Sequence, residues 1–77
     1  MDFYQSLNDQ LMGEYQDVVT YINLSKSAKG GDAHILRDVA REEFIHAKHL
    51  KDMLQSAGKL QDFSGLEEQA IEALDGV

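Results

Sequence analysis

The sequence predicts an all-α protein, an antiparallel two-helix hairpin followed by a short C-terminal helix. The 77 residues contain no proline, and runs of β-branched residues are scarce, so little interrupts a helix before Gly30-Gly31. On both sides of that pair, apolar residues recur at alternating spacings of three and four, as along one face of a helix. Because the turn between them is short, the two long helices are expected to be antiparallel neighbours.

Helix one is predicted over residues 3–29. Asp2, with Gln5 three residues later, resembles a capping box at its start. Gly13 is unusual here, because glycine inside a helix costs about 1 kcal/mol relative to alanine, and we expect another helix to approach closely at this point. The residues predicted to face the core are Leu7, Leu11, Glu14, Val18, Tyr21, Ser25 and Ala28.

Helix two is predicted from Asp32, a residue type that caps helix starts, to Gly58, which can end a helix in the left-handed conformation. It carries the same periodic pattern as helix one. The residues predicted to face the core are Leu36, Val39, Glu43, His46, Leu50, Met53 and Ala57.

A third, shorter helix is predicted near the C-terminus. Ser64 and Glu67 have the spacing of a capping box at its start, and it is expected to end near Gly76. We therefore expect two parts, a helical hairpin over residues 1–58 and a linker with a short helix over residues 59–77.

Composition narrows the classes of function. The chain has no cysteine, which excludes disulfides, thiolate zinc sites and iron–sulfur centres. A net charge of −7 disfavours nucleic acid and anionic membranes as partners. Neither a membrane span nor a signal peptide is readable, so a soluble, cytoplasmic protein is expected. A domain this small buries only about 60% of its unfolded surface, and we expect a metal or a partner chain to stabilise it.

Three ionisable residues occupy core-facing positions where an apolar side chain is expected: Glu14, Glu43 and His46. Burying an unpaired carboxylate is costly, so such residues call for a partner or a metal. Glu43 and His46 are three residues apart and lie side by side on a helix. With a turn near Gly30-Gly31, residue i faces roughly residue 61 − i, which places Glu14 beside His46. The three are predicted to converge on a metal.

This ligand set is half of a known arrangement. In ferritin-like di-iron bundles, two helices each give a Glu and two others each give Glu-x-x-His. A symmetric dimer of hairpins would supply the whole set in a four-helix bundle and would bury the apolar seam. Carboxylate and imidazole ligands suit iron or manganese best, and zinc can also bind them.

The sequence at these positions resembles the first half of a rubrerythrin-type ferritin-like domain over residues 7–57. The residues that carry the resemblance are Gly13-Glu14-x-x-x-x-x-x-Tyr21 and Ala40-Arg41-Glu42-Glu43-x-x-His46-Ala47. It implies that Glu14 is the ligand from the first helix, Glu43 a bridging carboxylate and His46 the imidazole ligand. It also implies that Tyr21 lies near the metals.

The sequence holds one Glu…Glu-x-x-His half and no rubredoxin segment, and this is similar to the half-length chains of encapsulated ferritins. The resemblance implies a ferroxidase that oxidises Fe(II) with O2 or peroxide at a di-iron centre shared between two chains. It also implies iron storage, a homodimer or higher even oligomer, and a protein shell as a partner. Three alternatives stay open: a rubrerythrin-like peroxidase or manganese catalase-like enzyme, a non-catalytic helical oligomerisation module, and a regulatory zinc or nickel binder.

The remaining polar and aromatic residues are assigned no part in metal binding. Glu42, His34 and His49 lie off the seam and are predicted to be surface or boundary residues. Asp17 and Asp38 are predicted surface charges, either of which could hold the distal nitrogen of His46. The residues expected only to pack are Tyr4, Tyr15, Phe3, Phe44, Phe63, Met12 and Met53.

Overall fold

The computed structural model describes residues 2–77 and contains three helices: α1 (Phe3–Ser27), α2 (Gly31–Ser56) and α3 (Ser64–Asp75). Helices α1 and α2 pack along each other as a hairpin, and α3 packs mainly against α1. The predicted all-α hairpin with a short third helix is confirmed. Met1, the first residue of the predicted 1–58 segment, lies outside the described residues, and the division at residue 58 stays a prediction.

Helix α1 begins where the sequence predicts. Asp2 has an extended backbone, and its side-chain oxygen accepts a hydrogen bond of 2.7 Å from the backbone N–H of Gln5. This satisfies one of the free N–H groups at the helix start. The helix ends at Ser27, two residues before the predicted Lys29, because Ala28 is already extended.

Helix α2 begins at Gly31, two residues before the start that a cap at Asp32 would give. Gly30 is the N-cap, with a left-handed φ of 57°, and Gly31 is already helical. The prediction that Asp32 is the cap is therefore wrong, because the tight turn needs the φ that glycine adopts freely and the helix then starts at once. Asp32 lies in the first turn, where its charge favours the positive end of the helix dipole.

The predicted end of α2 at Gly58 is confirmed. Gly58 has a left-handed φ of 68°. The backbone N–H of Lys59 donates to the carbonyl of Leu54 at 2.9 Å, and that of Gly58 donates to Gln55 at 3.1 Å. This pair of bonds is the Schellman motif, which satisfies carbonyls left free at a helix end.

Helix α3 is not capped by the predicted box. Phe63 occupies the N-cap position, and the Asp62 carboxylate accepts a hydrogen bond of 3.0 Å from the backbone N–H of Ser64. The Glu67 side chain turns instead toward Tyr15 of α1. The capping-box prediction is wrong, because the Glu67 carboxylate accepts a hydrogen bond from the Tyr15 hydroxyl and not from the backbone at the start of α3.

The hairpin core is rotated from the predicted seam. The buried residues of α1 are Asn8, Leu11, Tyr15, Val18, Ile22 and Ser25. Those of α2 are Ala33, Ala40, Ala47 and Leu54. Small alanines every seven residues let α2 lie close against α1, and larger neighbours are displaced to the flanks. Of the predicted seam, Leu11, Val18 and Ser25 are buried, and Glu14 and Glu43 are half-buried at its edge. The prediction that His46, Met53 and Ala57 face the core is wrong, because α2 packs on its alanines and leaves these three exposed.

The hairpin therefore has two faces that flank this core. One, here called the covered face, carries Tyr15, Phe44 and Lys51 and lies under α3. The other flank, here called the open face, is not covered by α3. Adjacent residues of a helix point about 100° apart, so Glu14 lies on the open face although Tyr15 lies on the covered face. The residues of the open face are Leu7, Glu14 and Tyr21 of α1 and Leu36, Val39, Glu43, His46, Leu50 and Met53 of α2.

The linker after α2 is held to α1 by one buried amide. The Nδ2 group of Asn8 donates to the carbonyls of Tyr4 at 2.9 Å and Lys59 at 3.0 Å. Its Oδ1 atom accepts from the backbone N–H of Gln61 at 3.0 Å. Asn8 thus satisfies the linker backbone, as buried polar groups require, and sets the path by which α3 reaches the covered face.

Two further expectations can be compared with the fold. An alanine Cβ built at Gly13 would meet no atom of residues 2–77 within 4 Å, so the expected close approach of another helix does not occur within the described chain. Among the helices of that range, none is both long and apolar enough to cross a membrane.

Candidate metal centre

The predicted convergence of Glu14, Glu43 and His46 is observed on the open face. Nδ1 of His46 lies 3.8 Å from Oε2 of Glu14 and 3.9 Å from Oε1 of Glu43. One possible ligand atom from each residue lies within 4.8 Å of the others. Glu43 and His46 meet because they are one helical turn apart, and Glu14 reaches them because the short turn at Gly30 fixes the register of the two helices.

The three side chains are unequally exposed. Glu14 and Glu43 retain 18% and 21% of their side-chain exposure, whereas His46 retains 55%. The carboxylates thus lie at the base of the open face and the imidazole lies at its rim.

Glu14 is the least satisfied member of this group. Its Oε2 atom is buried, and no group among residues 2–77 forms a hydrogen bond with it. The pKa of Glu14 is raised to about 7, most of all by burial, then by a hydrogen bond with the adjacent Glu43 carboxyl and by the negative charges of Glu43 and Asp17. A buried carboxylate oxygen without a hydrogen-bond donor is unfavourable for a fold, and either a proton or a bound cation would relieve it.

The residues fit a transition-metal ion. Two donors each about 2.1 Å from one ion lie at most about 4.2 Å apart, and the distances from His46 to Glu14 and Glu43 fall within that limit. Two carboxylate oxygens and one imidazole nitrogen form a donor set that suits iron or manganese. Three protein ligands leave coordination positions open. The assignment of these residues as ligands stays a prediction.

The other predicted residues lie outside the group. Tyr21 is half-buried on the open face, about two helical turns from Glu14, and its proposed place near the metals stays a prediction. Glu42 and His49 are exposed, as expected. Asp38 is paired with His34 at 3.3 Å and also contacts Arg41.

A second polar cluster, which the sequence analysis missed, lies on the covered face. The Tyr15 hydroxyl donates to Oε2 of Glu67 at 2.9 Å, and Nζ of Lys51 donates to the same oxygen at 2.8 Å. The Lys51 ammonium holds the pKa of Glu67 below its usual value, and burial raises the pKa of Tyr15. Tyr15 was expected only to pack. Its spacing along α1 could have indicated its burial, since it recurs at helical intervals with the other buried residues, which are Asn8, Leu11, Val18, Ile22 and Ser25.

Comparison with known proteins agrees with this fold and group. The family model for Rubrerythrin matches residues 5–75. No curated protein and no solved structure gave a significant match. Membership of this family suggests a ferritin-like di-iron protein and iron binding, consistent with the Glu14, Glu43 and His46 group. The chain therefore belongs to the rubrerythrin family of the ferritin-like superfamily.

Proposed function

We propose that the protein is a di-iron ferroxidase that oxidises Fe(II) with dioxygen or peroxide at a site built between two copies of the chain. The observation that carries this proposal is the Glu14 carboxylate. It is half-buried beside Glu43 and His46, and its buried Oε2 atom has no hydrogen-bond partner among the described residues. A bound cation would compensate both the burial and the repulsion between the two carboxylates.

The need for a second chain follows from counting ligands. A ferritin-like di-iron site uses four carboxylates and two imidazoles, and this group supplies two carboxylates and one imidazole. The open face around the group also carries the half-buried side chains Leu7, Leu36, Val39 and Leu50 and the exposed side chain Met53. A second copy on this face would bury that apolar surface and bring the missing ligands.

Each residue has a distinct role in this proposal. Glu14 must lose its proton before it can bind a cation, so its raised pKa makes the site sensitive to pH near neutrality. Glu43, beside Glu14, would hold the metal with its carboxylate and would take the bridging role that the family resemblance implies. His46 offers Nδ1, the ring nitrogen that faces both carboxylates. Bound iron would supply the one-electron steps by which Fe(II) is oxidised.

An anaerobic Fe(II) titration followed by air tests the proposal. We expect uptake of about one iron per chain and an absorption band of oxidised iron after exposure to air. The Glu43→Ala variant should lose both, and Glu42→Ala, which removes the adjacent exposed carboxylate, should keep both. Absence of iron uptake by the wild type would refute the proposal, as would equal uptake in the Glu43→Ala variant.

The same samples separate the alternatives. A rubrerythrin-like peroxidase or manganese catalase-like enzyme uses the same ligands. The peroxidase would consume peroxide only when an electron donor is supplied, and the catalase would consume it without one, in each case faster than it oxidises Fe(II) with dioxygen. A zinc or nickel binder would take up metal without consuming oxygen. An oligomerisation module, in which Glu and His side chains form buried ion pairs across the dimer, would contain no metal and would lose nothing on chelation. Enclosure in a protein shell stays a prediction.

A further inference from the structure

A cavity of about 320 Å³ lies on the covered face, where α1, α2, the linker after α2 and α3 meet. Its volume is within the range of about 300 to 1,000 Å³ that small-molecule sites in proteins occupy. None of its lining residues belongs to the Glu14, Glu43 and His46 group on the open face. A ligand in this cavity would therefore be independent of the proposed metal centre.

One part of the cavity wall is apolar. Leu11 of α1 is fully buried, and Leu60 and Phe63 of the linker are half-buried. Leu60 and Phe63 pack against the hydrophobic core, and the linker backbone is held by hydrogen bonds with Asn8. The fold thus fixes the apolar wall, and its concave surface favours an apolar group of a ligand over water.

The other part of the wall carries one ammonium and two carboxylates, which belong to Lys51, Asp62 and Glu67. Lys51 donates to Oε2 of Glu67 at 2.8 Å, and its ammonium has further N–H groups to donate. Both hydrogen bonds that Glu67 accepts, from Lys51 and Tyr15, are at Oε2, so Oε1 remains able to accept. Asp62 accepts from the backbone N–H of Ser64 at 3.0 Å, and a carboxylate can accept about four hydrogen bonds in all. All three groups therefore keep capacity for a ligand.

The charges of this polar wall favour one class of ligand. Hydrogen bonds from Ser64 lower the pKa of Asp62. The hydrogen bond from Lys51 lowers the pKa of Glu67, so both carboxylates are ionised at neutral pH. A ligand with only a carboxylate would be attracted by Lys51 and repelled by the two acidic groups, and a ligand with only an ammonium would meet the reverse. An α-amino acid carries both charges and an apolar group on a single carbon, which suits a cavity of this size.

We propose that this cavity binds an apolar α-amino acid in its zwitterionic form. The carboxylate of the ligand accepts hydrogen bonds from Lys51, and its ammonium donates to Asp62 and Glu67. The apolar side chain of the ligand lies against Leu60 and Phe63. Because the linker and α3 form part of the wall, the bound ligand also holds α3 on the hairpin.

Heteronuclear NMR titration of the full-length chain tests the class of ligand. Three test compounds share one aromatic ring and differ in charge: L-phenylalanine carries both groups, 2-phenylethylamine only the ammonium and 3-phenylpropionate only the carboxylate. We expect L-phenylalanine to shift the backbone signals of Leu60, Phe63 and Ser64 saturably, with a Kd below about 1 mM. The other two compounds should bind at least about tenfold more weakly.

Two outcomes of this titration would overturn the proposal. Equal or tighter binding of either singly charged compound would show that the cavity does not select a zwitterion. Absence of saturable shifts in the linker and α3 with both L-phenylalanine and L-leucine would show that it does not bind apolar amino acids.

Matched variants test the two charged contacts. Lys51→Met removes the ammonium of the cavity, whereas Lys48→Met removes a lysine about one helical turn away that does not line it. The first should weaken L-phenylalanine binding about tenfold, and the second should leave it unchanged. Asp62→Asn removes a charge but keeps an oxygen that can accept from Ser64, and it should also weaken binding about tenfold. Equal binding by the two lysine variants would contradict the proposal, and if Lys51→Met does not fold, Asp62→Asn decides.

Hydrogen exchange tests the effect on α3 independently. Release of α3 also releases the ligand, so at about ten times the Kd the amides of α3 should exchange about tenfold more slowly. The Glu14→Leu variant, which changes the metal group, should show the same slowing. Unchanged exchange in α3 with ligand bound would place the ligand outside the cavity. Loss of binding in Glu14→Leu would place it on the open face, and either result would overturn the inference.

Discussion

The open and covered faces of the hairpin each hold a half-buried glutamate, and the two glutamates differ in their hydrogen bonding and in the direction of their pKa shifts. Glu67, on the covered face, accepts hydrogen bonds from Tyr15 and Lys51, and its pKa is held below the usual value. Glu14, on the open face, has an oxygen without a partner among residues 2–77, and its pKa is raised to about 7. The Glu67 carboxylate therefore stabilises the fold, whereas the unpaired Oε2 atom of Glu14 is available to bind a ligand.

The strongest test of this comparison replaces each glutamate by leucine. At about pH 8, Glu14→Leu should raise the free energy of unfolding of the metal-free protein by about 1 kcal/mol, because it removes an unpaired buried charge. Glu67→Leu should lower it by about 2 kcal/mol, because it leaves the Tyr15 hydroxyl and the Lys51 ammonium without their acceptor. Urea unfolding measures both. Changes of the same sign would contradict the comparison.

The pH dependence of stability should also distinguish the two faces. The folded protein binds a proton at Glu14 more tightly than the unfolded chain, so the metal-free protein should lose stability as pH rises from 4.5 to about 7. The lowered pKa of Glu67 acts in the opposite sense. Its contribution is present above the unfolded value of 4.5 and is lost as pH falls below it.

Urea unfolding across that pH range, with Glu14→Gln as the control, isolates the first effect. The variant keeps a polar side chain of similar size but cannot ionise. Its stability should lack the decline between pH 4.5 and about 7 that the wild type shows. An equal decline in both proteins would assign the effect to another group.

Loss of one hydroxyl should affect the two faces differently. Tyr15→Phe removes a buried hydrogen bond to Glu67 and should lower the free energy of unfolding by about 1 kcal/mol. Tyr21→Phe on the open face should change the stability of the metal-free protein by less than about 0.5 kcal/mol. Thermal unfolding of the two variants measures this difference, and equal losses would show that Tyr21 has a partner of comparable strength.

The smallest expected effect concerns Gly13. Because no described atom would contact a Cβ there, Gly13→Ala should stabilise α1 by about 0.5 to 1 kcal/mol. The gain should appear in the metal-free protein and persist in the metal-loaded assembly. A loss of stability on metal loading would show instead that another chain approaches α1 at this residue.

Much of the fold could be predicted from periodicity and glycine placement. The three helices, the hairpin and the end of α2 at Gly58 follow from the spacing of apolar residues and from the conformations that glycine permits. The exact core did not follow. The apolar periodicity predicted that Leu36, Val39 and Leu50 face the core. The buried residues at the centre of the α2 interface are instead Ala33, Ala40 and Ala47, which let the two helices pack closely.

The convergence of Glu14, Glu43 and His46 was predictable because a short turn fixes the register of two helices. The covered-face cluster was not, because the seven residues between α2 and α3 do not fix the position of α3 on the hairpin as a short turn would. Glu67 had the spacing of a capping residue, and local sequence does not reveal that Tyr15 and Lys51 would be its partners instead. Tertiary contacts overrode a local preference here.

The most direct test of the shared site is the native mass of the iron-loaded protein. The account predicts a species of two chains that carries two iron ions, with ligands drawn from both chains. This species should disappear in the Glu14→Leu variant, although that variant folds more stably without metal. A single chain that binds one iron ion with the same affinity at all protein concentrations would contradict the account.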